Sequence, residues 1–116
     1  MRIECEYHLT KRRFLLIGLF DTTREYRKEC AGGNPKRVAS YYEPTRASRR
    51  SGKLGLMAFS IPKISYRVIA HEFSHLSNYM SRHYSDEETA HVVGQLQAYF
   101  VKDYKSNRRL KIMDDD

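Results

Sequence analysis

A chain of 116 residues with 21 Lys and Arg against 14 Asp and Glu carries a net charge of +7 and has material for one modest hydrophobic core, not two. Its 41% apolar and 30% charged residues give the balance of a globular domain, which excludes fibrous and low-complexity classes. No apolar run approaches the roughly 20 residues that cross a bilayer, so no membrane association is expected. The positive surplus attracts acidic proteins or nucleic acid only as a field effect, and serves plain solubility equally well. Cys5 and Cys30 are too few for a disulfide framework and lack metal-ligand spacing, so a cytoplasmic setting is expected.

Residues 2–9 alternate loosely at Ile3, Cys5, Tyr7 and Leu9, as a half-buried strand does. The apolar run 14–20 follows Lys11-Arg12-Arg13 and superficially resembles a secretory leader. It is short, meets Asp21 and has no small-residue cleavage site, so it is read as structure, with its length favouring a strand. Asp21-Thr22-Thr23 offers caps for a short helix to about Cys30, stopped by Gly32-Gly33-Asn34-Pro35.

Residues 36–53 hold Lys36, Arg37, Arg46, Arg49, Arg50 and Lys53 with Tyr41 and Tyr42 among them. Basic residues interleaved with aromatics can bind single-stranded nucleic acid by charge and stacking. No nucleic-acid motif accompanies them, so a solvated, mobile loop with its tyrosines folded back is the favoured reading. Leu54 to Ser60 alternates as a strand, with Leu54, Leu56, Ala58 and Ser60 on one face and Met57 and Phe59 on the other. Such a strand either offers an open edge to an extended peptide or lies in the sheet interior.

The segment from about 64 to 82 has helical periodicity and contains His71-Glu72-Phe73-Ser74-His75. Residues four apart sit on one helix face a turn apart, so His71 and His75 can direct two imidazoles at a single zinc ion. Glu72 is placed to take a proton from a water on that ion. Ile69, Phe73, Leu76 and Met80 form a core stripe on the other side. The pentapeptide also arises by chance on surface helices, where it means only two solvated histidines. Ser85 and Glu88 have capping-box spacing and open a second helix running through Val92, Leu96 and Phe100 to about Tyr104.

A zinc site needs a third protein ligand, and His83, Asp86, Glu87, Glu88 and His91 follow the motif. Glu87 shares a face with the small residues Ala90, Gly94 and Ala98, which would let that face approach the His71 helix closely. Glu87 is therefore the chosen metal ligand, with His91 as its supporting partner or its replacement, and Glu88 assigned to the cap. The competing role for Glu87 is a carboxylate favoured by the helix dipole.

The segments Gly55 to Phe59, Val68-Ile69-Ala70-His71-Glu72-x-x-His75-x-x-Asn78-Tyr79 and Asp86-Glu87-x-x-Ala90-x-x-Val93-Gly94 resemble small zincin-like proteins. Such proteins are encoded by phages and prophages and are minimal relatives of gluzincin metallopeptidases. The resemblance covers about residues 54–101. It implies a Zn2+ cofactor bound by His71, His75 and Glu87, Glu72 as general base, and, for a phage-encoded protein, the cytoplasm of a bacterial host.

The expected architecture is an α+β domain over residues 1–104. A small antiparallel sheet packs on the H-E-x-x-H helix and on a second, Glu-bearing helix. A loosely ordered charged tail fills 105–116. The expected activity is hydrolysis of a peptide or protein substrate, with Tyr79, His83, Tyr41 and Tyr42 as candidate oxyanion donors. The alternative is a zincin-fold binding protein that captures a host protein, or nucleic acid through residues 36–53, by its basic surface.

Overall fold

The computed structural model describes residues 2–10, 12–30, 32, 34–106, 112 and 113, and within the first strand the side chain of Tyr7 alone. β1 (Arg2–Thr10) and β2 (Arg13–Phe20) pair antiparallel, from Arg2 opposite Phe20 to Thr10 opposite Arg13. The apolar run 14–20 is thus a strand. Leu15, Ile17 and Leu19 enter the main core, while Phe20 points to the opposite sheet face.

Thr22 accepts the amide of Glu25 at 3.1 Å and caps α1 (Thr23–Cys30). Tyr26 of α1 packs with Phe20 and Ala58 and covers that opposite face. β3 (Ala39–Tyr42), α2 (Arg46–Arg50) and β4 (Lys53–Ser60) follow. The basic stretch 36–53 therefore holds a strand and a helix between short turns, rather than one loop. Its tyrosines do fold back: Tyr41 donates to the Leu54 carbonyl at 2.6 Å and Tyr42 to that of Cys30 at 2.7 Å.

The four strands lie in the order β1-β2-β4-β3. The α+β class holds, but the sheet is mixed where an antiparallel one was expected, because β2 and β4 run parallel. Residues 21–52 between them, carrying α1, β3 and α2, are long enough for the crossover that a parallel pair requires. β4 is paired on both sides, so of its two expected placements the interior one is observed, and β3 occupies the edge.

Gly55 breaks the alternation of β4. Its φ is +135°, and the register with β2 slips between Phe14 and Leu16. This extra residue is why Leu54 joins Met57 and Phe59 in the main core instead of facing away from them. A Cβ on Gly55 would lie 2.5 Å from the Tyr41 ring and 2.7 Å from the Tyr42 carbonyl oxygen. Glycine here lets Tyr41 lie across the strand.

A 3-10 turn (Ile61–Lys63) with Pro62 at its start leads into α3 (Tyr66–Ser81). Ser65 caps α3 by accepting the Val68 amide at 3.1 Å, which sets its start two residues inside the expected limit. α4 (Asp86–Ser106) runs two residues beyond the expected end and is capped by Ser85, which accepts the Glu88 amide at 3.2 Å. Helices α3 and α4 pack on one sheet face. Phe100 is central there: it stacks on Phe59 with centroids 5.3 Å apart and meets Tyr7 edge-on at 5.9 Å. Of the expected tail, Ile112 is buried, and the Met113 amide donates to the Ile64 carbonyl at 3.1 Å. Residues 107–111 and 114–116 lie outside the described residues. Among the described residues, no helix is long and apolar enough to cross a membrane.

Candidate metal centre

The core stripe Ile69, Phe73, Leu76 and Met80 is buried as its periodicity requires, and it fixes the rotation of α3 about its axis. That rotation leaves His71 and His75 on the exposed rim, with their Nε2 atoms 3.1 Å apart and rings nearly perpendicular. Two imidazoles bound to one tetrahedral zinc at about 2.0–2.1 Å hold their nitrogens roughly 3.3 Å apart, so the pair fits a shared ion.

Glu72 sits beside the core stripe and is only 4% exposed. Its Oε2 is fully buried without a hydrogen-bond partner, which is costly for a carboxylate that serves only the fold. Burial pushes its pKa above the ordinary glutamic acid value, while the charges of His75, His71 and Arg37 pull it down. Ligand atoms of His71, Glu72 and His75 all lie within 4.8 Å of one another, and no other such group of three occurs among the described residues. The two imidazoles suit a divalent ion, with the buried carboxylate beside them, and among the described residues no third ligand from outside this helical turn joins the group.

Glu87 is not brought to this group. The buried face of α4 is Thr89, Val92, Leu96, Phe100 and Tyr104, so Glu87, Ala90, His91, Gly94 and Ala98 are exposed. A Cβ on Gly94 would meet nothing within 4 Å, so the small residues mark no close helix contact. The expected placement of Glu87 fails because the large apolar residues of α4, not its small ones, turn towards the core. Glu88 takes up an ion pair with Arg13, while Ser85 alone caps the helix.

A cleft of about 560 Å³ opens beside the three residues, between α3 and residues 34–43. Lys36, Arg37, Tyr41, Glu43 and Arg67 contribute to its walls. Among the expected oxyanion donors only Tyr41 lines it, and its hydroxyl is engaged by Leu54. Tyr79 is buried, His83 contacts Arg49, and Tyr42 bonds Cys30. Reading the sequence missed β3 as the cleft wall. The signal was there: Val38 to Tyr42 is a charge-free run inside a basic stretch. No protein-family model, curated protein or solved structure matches the chain.

Proposed function

We propose that the chain is a zinc-dependent hydrolase of peptide or amide bonds, akin to small zincin-like metallopeptidases of phages. His71 and His75 hold the ion and Glu72 is the general base. One observation carries the reading: two Nε2 atoms 3.1 Å apart beside a buried, unpartnered carboxylate at the floor of an open cleft.

Zinc there would supply the Lewis acidity that makes water a nucleophile near neutral pH. Glu72, made more basic by burial, accepts the proton of the attacking water and delivers it to the leaving amine. The floor position keeps its carboxylate dry and fixed, which strengthens each of these transfers. Edge strand β3 lies along the cleft, where an extended substrate can align beside it.

The absence of Glu87 from the group favours a second reading, in which the motif is scaffold and the basic surface binds a partner. Zinc content and turnover separate the two. In untagged protein, about one zinc per chain is expected, lost in His71→Ala and His75→Ala and kept in Glu72→Gln. Peptide hydrolysis should vanish in Glu72→Gln. A wild type that takes up no zinc when supplied with it would sink the hydrolase reading. Loss of zinc in Glu87→Ala would instead mean that α4 supplies a ligand in the bound state.

A further inference from the structure

We propose that the cleft selects peptide segments bearing acidic side chains, through Lys36 and Arg37 standing across the groove from His71, Glu72 and His75. The inference rests on reading the cleft as a peptide site, but not on zinc or on turnover.

Besides His71, His75 and Tyr41, the ionisable groups lining the cleft are Lys36, Arg37, Arg67 and Arg82 on one side of the balance and Glu43 and Glu72 on the other. Glu43 is already paired with Arg82 at 2.6 Å, and Glu72 is buried in the floor. What faces an incoming segment is therefore a cationic wall. Lys36 and Arg37 are exposed, and a turn fixes their backbone. The Lys36 amide donates to Asn34 Oδ1 at 3.0 Å, the Arg37 amide to the Asn34 carbonyl at 3.3 Å, and Arg27 Nε to the Arg37 carbonyl at 3.5 Å.

The turn runs directly into β3. The Ser60 amide donates to the Val38 carbonyl at 2.9 Å, and Ala39 lies opposite Phe59. By antiparallel alternation, the backbone groups of Ala39 and Tyr41 then point away from β4, towards the open edge. A segment extended along that edge passes Lys36 and Arg37, which line the same cleft as the histidines. Carboxylate side chains on it meet guanidinium and ammonium groups inside a partly enclosed cleft, where such pairs count for more than on open surface.

The test is fluorescence anisotropy with short labelled peptides at an ionic strength of about 0.1 M. The probes are an alternating Ala-Glu peptide with an amidated end, its Ala-Gln counterpart, and the Ala-Gln peptide with a free carboxyl terminus. The amidated acidic peptide should bind about tenfold more tightly than either Ala-Gln form. The Lys36→Glu, Arg37→Glu double variant should abolish that preference. Arg46→Glu, Arg50→Glu makes the same change in net charge on α2, outside the cleft, and should keep it. Equal loss in both double variants would reduce the effect to the field of the whole protein and overturn the proposal. So would tight binding of the free carboxyl terminus alone, or no preference at all. Acidic preference in a protein that takes up no zinc would leave this inference standing and sink only the hydrolase reading. Zinc uptake with no preference would do the reverse.

Discussion

The two long helices, α3 and α4, invite comparison because both carry titratable side chains at helical spacing beside an apolar stripe. In α3 the stripe leaves Glu72 at its margin, buried at 4% exposure, and the two histidines on a rim that overlooks a cleft. In α4 the stripe runs through Val92, Leu96, Phe100 and Tyr104, and it turns Glu87 and His91 into solvent. A motif thus becomes a site only when the helix's rotation brings its polar face against another part of the chain. For α3 that part is β3 and the turn before it, whereas α4 has no such wall over Glu87.

The largest effect should come from removing the side chain that fixes the rotation of α4. Phe100→Ala is expected to cost about 3–5 kcal/mol in chemical denaturation, because it empties the position where Phe59, Tyr7, Phe73 and Tyr104 meet. A loss below roughly 1 kcal/mol would mean that α4 packs through another face, and would reopen the placement of Glu87.

Next comes the buried carboxylate of α3. In chelator-treated protein, Glu72→Gln should raise stability at neutral pH, since it removes a desolvated charge whose Oε2 has no hydrogen-bond partner. Desolvation raises the folded-state pKa, so this group's contribution to stability is fullest below the ordinary value of 4.5 and is lost as pH rises through the raised value. The advantage of the variant should therefore shrink on acidification through the carboxylate range. Melting curves from pH 4 to 8 would show it, and an equal or growing advantage at low pH would contradict the assignment.

The smallest effect distinguishes the exposed face of α4 most cleanly. Gly94→Ala should stabilise by about 0.5–1 kcal/mol, because a methyl there meets nothing and alanine is the better helix former. Destabilisation would reveal a close neighbour on that face, as the small residues alone had suggested.

Much of this protein was set by local pattern. The caps at Thr22, Ser65 and Ser85, the strand at 14–20 and the stripe of α3 follow from side-chain chemistry and spacing within a few residues. So does the pairing of His71 with His75, because one helical turn is enough to bring them together. Tertiary structure decided what no short window contains. The bulge at Gly55 reassigned Leu54 to the main core. The parallel pairing of β2 and β4 placed β3 at the edge and made it a wall of the cleft. It also decided that α4 buries its large residues rather than its small ones. Glu87 stays outside the His71, Glu72 and His75 group for that reason: two faces of one helix can each look suited to packing, and only the volume to be filled between helix and sheet chooses between them.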